Sequence, residues 1–541
     1  MRRQIPPVSK LPDDLILEIV KHAVPEPFDG DDSRIDVLFT LSAINKQWRE
    51  IVVNNTSLWT HHFVPNLANG PKGLHYECEN FINNPVSAVL SFVCYGMSGR
   101  LVIALRRSGS QPLTFEFEFR HQPTLRFRRC WRVIKLCFLA RCRRLSIISD
   151  DLDEPDERLI SGLDRAPLGL SPWAWLGLPI LVEHHFPLGL PENPWDIVFP
   201  LPQMPELIEL EIVLGPEDNA LLHNLFNEQQ SRLRSVHLSG TLSTNWGTSF
   251  DYSALTNLHI APRTSPVNIA CVISRCSSLQ RLFIEQGAGI EITQATSVYP
   301  DPLMPDIKLP RIHLGSLIEL RVRGDAACVV ASAITAPNLN SLEVLGVSMQ
   351  YDDTGTIPPR YFLQLLRGGR YAHPALRYLS LMNVECSSPG HESMVASELV
   401  MFLTEHKALE MLLLDRVALL PHLITQVYEV SSTQKRKIYR NWRVLHIVTA
   451  NESRRLCKTL PDFSPLLAGN DMLTIEFGDE SQKCVWGEDE MALEKAFAPR
   501  VWCVDCARWD FEAFAPYWVH SRIGDWEWDG PMMHLEDARQ P

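Results

Sequence analysis

Apolar residues recur along this chain with two different periods, and the change from one to the other divides it. Between residues 9 and 63 the period is helical. Pro12 follows Leu11 and precedes Asp13 and Asp14. Proline suits a first helical turn, and the two carboxylates oppose the positive end of the helix dipole. Leu15, Ile16, Ile19 and Val20 then share a face, which predicts a helix to about His22. The Pro-, Gly- and Asp-rich stretch from Pro25 to Asp32 breaks it as a loop. A second amphipathic stretch carries Ile35, Leu38, Leu41, Ile44, Trp48, Ile51 and Val52, and Ser57-Leu58-Trp59-Thr60 closes the module. About 55 residues is near the size where a core is marginal on its own. Leu11, Pro12, Leu41, Ile44 and Trp48 are more apolar surface than such a module covers internally, so a docking surface is expected.

From residue 205 a different pattern takes over, of the type Leu-x-x-Leu-x-Leu. It occurs at Leu207/Leu210/Ile212, Leu233/Val236/Leu238, Leu255/Leu258/Ile260 and Leu279/Leu282/Ile284. It continues at Leu317/Leu320/Val322, Leu339/Leu342/Val344, Leu376/Leu379/Leu381 and Leu409/Leu412/Leu414, with weaker copies at Trp442/Leu445/Ile447 and Met472/Ile475/Phe477. The eight good copies begin 26, 22, 24, 38, 22, 37 and 33 residues apart. Chance would place on the order of one or two such copies here, so a repeat is the better account. Helical stripes lie between copies: Leu221, Leu222, Leu225 and Phe226; Ile269, Val272, Ile273 and Cys276; Leu399, Val400, Phe402 and Leu403. A helix alternating with a short strand predicts an α/β solenoid whose parallel strands stack over a shared core, with inserted loops to absorb the uneven period.

Upstream, Val89–Val93, Leu113–Phe119 and Leu145–Ile148 read as strands of divergent repeats, and residues 101–113 read as helix, Ser-Gly turn and strand. Residues 150–204 open with an acidic run and continue rich in proline and tryptophan, as an insertion would. Six tryptophans from Trp486 onward suit a C-terminal cap over the open end of a solenoid.

Composition narrows the function. The 541 residues are 45% apolar and 21% charged, which is ordinary globular usage. The formal charge of −13 disfavours a nucleic-acid partner. The thirteen cysteines show no framework spacing, which suits reduced thiols, and no apolar run reaches the ~18 residues of a membrane span. A cytoplasmic or nuclear compartment is expected.

The chemistry of catalysis is missing from the text. No phosphate-cradling glycine loop, Gly-x-Ser-x-Gly or His-Glu-x-x-His occurs. Cys503-Val-Asp-Cys506 has metal-like spacing, but Cys484, His520 and His534 supply no second tight pair. Nine basic residues between Arg120 and Arg144, interleaved with aromatics, read as the solvated face of a strand-and-helix pair that the acidic run at 150–157 can neutralise, the alternative being a nucleic-acid or phosphopeptide patch. No catalytic residue, metal or cofactor is assigned.

The sequence Leu11-Pro-Asp-Asp-Leu-Ile-Leu-Glu-Ile19, then Leu41-Ser-Ala-Ile-Asn-Lys-Gln-Trp-Arg49, then Ser57-Leu-Trp59 resembles the F-box, in the form with a loop after the first helix found in mushroom-forming fungi. Asp13 replaces a common glutamate, and Asn45 sits where cysteine is frequent. The resemblance covers about a tenth of the chain. It implies a three-helix module whose Leu-Pro turn and later helices bind a Skp-type adaptor, and through it a cullin. Leu11, Pro12, Leu15, Ile16, Ile19, Leu41, Ile44, Trp48, Leu58 and Trp59 are the adaptor-binding residues it nominates.

The expected organisation is a flexible N-terminus at 1–8, an F-box at 9–63, divergent repeats with a proline-rich insertion at 64–204, a leucine-rich-repeat-like array at 205–480 and a cap at 481–541. The expected role is substrate receptor of an SCF-type ubiquitin ligase, with a protein substrate on the repeat body. The alternative is a repeat scaffold that presents nothing for degradation. Side chains alternate along a strand, so residues between the core positions form the other face. Glu211, His237, His259, Phe283, Arg321, Glu343, Ser380, Leu413 and His446 are the candidates to line a concave substrate surface.

Overall fold

The computed structural model describes residues 11–24, 33–64, 99–119, 139–149, 198–199, 201–214, 232–240, 252–262, 266–285, 309–347, 360–369, 371–384, 389–415, 420–433, 438–449, 463–479 and 501–504. The expected strand at Val89–Val93, most of the 150–204 insertion, the stripe at Leu221–Phe226 and the tryptophans beyond residue 504 lie outside them. The chain forms two compact units, Met1–Arg232 with Ser239–Phe250, and Leu233–Leu238 with Asp251–Pro541.

The first unit opens with helices α1 (Asp13–Ala23), α2 (Ser33–Ala43) and α3 (Lys46–Asn54) and a 3-10 turn at Thr56–Trp59. α1 has Asp13 and Asp14 in its first turn and Lys21 and His22 in its last, matching both ends of its dipole. Asn45 caps α3 by accepting the Trp48 amide at 3.0 Å. Ile16, Val20, Ile35, Leu38, Trp48, Val52, Leu58 and Trp59 are packed inside. The Trp59 indole donates to the Val52 carbonyl at 2.8 Å and meets Phe39 edge-on at 5.5 Å.

The chain runs from that turn straight into β1 (His61–Val64). This strand heads a parallel sheet with β2 (Leu113–Phe119), β3 (Cys142–Ser149) and β4 (Glu209–Val213). Residues 61–64 thus belong to the sheet, where the sequence had ended the helical module at 63. Helix α4 (Gly99–Arg107) precedes β2. Its Arg107 guanidinium lies over both the Phe39 and Trp59 rings, 4.9 and 4.6 Å from their centroids.

In the second unit, β5 (Ser235–Gly240, of which Ser235–Leu238 belong to this unit), β6 (Asn257–Pro262), β7 (Arg281–Glu285), β9 (Glu319–Arg323), β11 (Ser341–Val347), β12 (Tyr378–Val384), β13 (Met411–Asp415), β14 (Val444–Thr449), β15 (Thr474–Asp479) and β16 (Val501–Val504) follow one another in chain order. Every pairing from β6 to β16 is parallel. β8 (Ile312–His313) and β10 (Ile334–Thr335) pair separately. Between strands lie α5 (Pro266–Ile273), α6 (Asp325–Ser332), α7 (Arg360–Gly369), α8 (Pro389–Glu405), α9 (Leu420–Thr433) and α10 (Ser464–Gly469). Each repeat enters its strand on the same rung. Thr256, Gln280, Ile318, Asn340, Arg377, Glu410, Arg443 and Thr474 each donate an amide to the carbonyl of the corresponding residue one repeat earlier, at 2.6–2.9 Å.

All members of the eight triads, and of Trp442/Leu445/Ile447, are at most 2% exposed. The hydrophobic period therefore places the core correctly. One weak copy needs correcting: Met472 is 72% exposed, and Leu473 fills the core position. Asn470 explains the slip. Its side-chain amide donates to the Tyr439 and Trp442 carbonyls at 2.7 Å each, and its oxygen takes the Met472 amide, so the turn swings Met472 out. A second correction concerns the array's end. β16 adds a further parallel strand within the region expected to be a cap.

Among the described residues, no helix is long and apolar enough to cross a membrane.

Candidate functional site

α1 carries two apolar stripes. Ile16 and Val20 are fully buried against the other helices. Leu15 and Ile19, four residues apart and so stacked on one side of the helix, line an open groove with Leu11 of the preceding turn, Glu18, His22 and Ala23. Leu15 is 52% and Ile19 42% exposed. Isolated exposed apolar residues are common, but Leu15 and Ile19 in register beside the half-buried Leu11 form a patch that water solvates poorly. The Glu18 carboxylate on the rim accepts from Lys21 at 2.7 Å, and that bond and charge lower its pKa.

The ten nominated adaptor-binding residues do not form one surface. Leu11, Leu15 and Ile19 come together in the groove, and Pro12 is exposed next to them. Ile44 is 49% exposed at the α2–α3 corner, near the half-buried Leu41 in sequence, and is not among the residues that line the groove. Ile16, Trp48, Leu58 and Trp59 face the interior of the module. Those four hold the helices together, and their large apolar side chains are consumed in doing so.

The other candidate is the strand row. Register joins His259, Phe283, Arg321, Glu343, Ser380, Leu413 and His446 in one continuous line, extended by Glu476 and Trp502. The line is as the alternation predicts; several of its members are packed, while Ser380 and Leu413 are half-buried. His237, His259, Phe283 and His446 are all under 9% exposed. The His237 and His259 rings stack at 3.8 Å, and His259 lies 4.1 Å from Phe283. Burial and the charge of neighbouring groups hold His259 well below the usual histidine range, so it is neutral.

Beside this stack runs a chain of ion pairs. Arg321 Nε lies 2.5 Å from Glu319 and 3.0 Å from Glu343, with all three side chains about nine-tenths buried. Arg281 reaches Glu319 at 3.9 Å. Glu285 takes Arg323 at 2.7 Å and lies 3.4 Å from His259. Burial raises the pKa of Glu343 and of Glu285, with Arg321 and Arg323 respectively opposing that rise. In the first unit, Glu211 is 1% exposed and accepts from Ser146 at 2.7 Å. These groups satisfy one another, as buried charge requires.

Glu285, Glu319 and Arg323 went unnominated. They lie two residues from row members on the same strands, hence on the same face, and that spacing was a usable signal. Among the described residues no group of three or more histidine, cysteine, aspartate or glutamate side chains is placed to hold a metal ion. Cys503 lies in β16, and Cys506 lies outside the described residues.

No known family model matches the chain, and no curated protein matches it. Among solved structures it is similar to a crystal structure of a Bacteroides fragilis protein from a structural-genomics consortium. The identity is 11% and the TM-score 0.25, over 50% of this chain and 65% of that one. The chain thus spans under two thirds of that structure's length, and a likeness at this score carries no argument.

Proposed function

We propose that this chain is an F-box substrate receptor: the N-terminal helices dock on a Skp-type adaptor, and the repeat body brings a bound protein to a cullin-RING ubiquitin ligase. The observation that carries the reading is the outward pair Leu15 and Ile19 beside Leu11 and Pro12, with Ile44 also exposed at the α2–α3 corner, while Ile16, Val20, Trp48, Leu58 and Trp59 are interior. The Leu-Pro turn and the later Asn45-Lys-Gln-Trp48 and Ser57-Leu-Trp59 elements resemble the F-box in order and spacing. The chain contributes no reacting group under this reading. Its effect on rate is to raise the effective concentration of substrate near the charged conjugating enzyme.

Titration with a purified Skp-type adaptor tests it. Wild type should bind, and Leu15→Ala/Ile19→Ala should lose ten-fold or more in affinity, since small desolvated apolar anchors dominate such interfaces. Equal binding by both proteins, or none by wild type, refutes the assignment. The burial of the strand row favours a second reading, a repeat scaffold that engages the adaptor and presents no target. Proteasome-dependent turnover of a bound protein separates the two.

A further inference from the structure

We propose that Gln47 is the positioning residue that holds the Leu11–Pro12 turn in its docking geometry; this rests on the docking reading above. α1 begins without help from its own sequence, because Pro12 occupies the N-cap position and no side chain caps the helix. The first turn carries amide donors that a serine or aspartate cap would normally engage. Those amides stay uncapped; what ties the turn down is a contact to its acceptors from α3, thirty-six positions along the chain. One nitrogen, Gln47 Nε2, donates to the Leu11 carbonyl at 3.0 Å and to the Asp13 carboxylate at 2.7 Å.

Both partners are acceptors, so the amide orientation is dictated by chemistry: the oxygen in that position would face two oxygens. The bond to Asp13 is charge-assisted and the stronger kind. Leu11 lines the groove with Leu15, yet its backbone belongs to the turn and not to the helix. Gln47 therefore fixes the one groove residue that helix geometry does not. A groove residue held in place beforehand loses less freedom on docking, which appears directly as affinity.

The chemistry sets a discriminating series. Gln47→Arg keeps donors for both acceptors, Gln47→Leu removes them, and Gln47→Glu sets a third oxygen against two others. Glutamine, arginine, leucine and glutamate have similar helix propensities, so α3 itself should survive each change. Two quantities are read: affinity for a purified Skp-type adaptor, and hydrogen exchange in the free protein of the Ile16 amide, which donates to the Pro12 carbonyl at 3.1 Å.

The expected order is wild type and Gln47→Arg within about threefold, Gln47→Leu weaker by about ten-fold, and Gln47→Glu weaker again. Exchange at Ile16 should speed up in the same order, with the second unit's unfolding midpoint unchanged. Affinity lost without faster exchange would mean that Gln47 touches the adaptor itself, which overturns the positioning role. Faster exchange with affinity intact overturns it as well, since the turn would be pinned but irrelevant to docking. If wild type fails to bind, the docking reading falls and the role with it, while the exchange order still reports whether the bond pins the turn.

Discussion

Replacing Arg321 by methionine should expose how strongly the strand row depends on charge balance. The guanidinium sits between Glu319 and Glu343 at 2.5 and 3.0 Å, with each side chain only 11–12% exposed. Methionine matches much of the volume but leaves two buried carboxylates facing each other. Removing one partner of a buried ion pair costs roughly 3–5 kcal/mol, most of it the penalty of the charge left behind. At about 2–4 °C per kcal/mol for a unit of this size, the midpoint of thermal unfolding should fall on the order of 10 °C. Differential scanning calorimetry at pH 7 reads that shift.

The pH dependence supplies the sharper check. Burial already raises the Glu343 pKa, and Arg321 is the charge that opposes the rise. Without Arg321 the folded pKa climbs further, and a carboxyl with a raised folded pKa favours folding more as pH falls. The deficit against wild type should therefore shrink between pH 7 and pH 5. A variant melting within a degree of wild type at pH 7, or a deficit that grows on acidification, would refute the ion-pair account. Glu319→Gln/Arg321→Met/Glu343→Gln should recover most of the loss, since it removes charges together.

Three further outcomes are expected. His373 is fully buried, and burial lowers its pKa from 6.5 to about 4, so only the unfolded chain takes up its proton between those values. The second unit should lose about 3 kcal/mol from this group as pH falls through that window, and His373→Gln should flatten the slope of urea midpoints there. Gly368→Ala should cost about 1–3 kcal/mol by denaturant titration, because its Cβ would stand 2.7 Å from the Ser332 carbonyl oxygen of α6, a backbone atom that cannot turn aside. Trp59→Ala should destabilise the first unit by about 3–5 kcal/mol through the cavity and the stranded Arg107, seen as a lower midpoint for the helical module's circular dichroism.

Much of the architecture was legible in the text because it depends on short-range period. The Leu-x-x-Leu-x-Leu triads name the core residues of each strand, and equal spacing within a triad aligns neighbouring strands. Met472 was misread because the decisive residue is Asn470, whose reach to the previous repeat no local period encodes. The division of α1 into inner and outer stripes was equally invisible. Ile16 and Ile19 are both apolar and three apart, and only the packing of α2 and α3 decides which turns inward. The row of His259, Phe283, Arg321 and Glu343 was found in line, but its burial depends on its neighbours and not on its spacing. Gln47 left no trace, since its partners are thirty-four and thirty-six residues away.

The rungs at which the repeats enter their strands have a consequence for how such a chain diversifies. Copies in the sequence begin anywhere from 22 to 38 residues apart, yet each amide from Thr256 to Thr474 meets the carbonyl of the repeat before it. Whatever length intervenes, the sheet advances by one strand spacing, about 4.8 Å. The growth of a loop therefore transmits no strain along the stack, and each connection can lengthen or change character as a local event. Two descendants of one ancestor could differ widely in length and connecting text while superimposing strand for strand, so their kinship would persist in the rungs after it had faded from the letters.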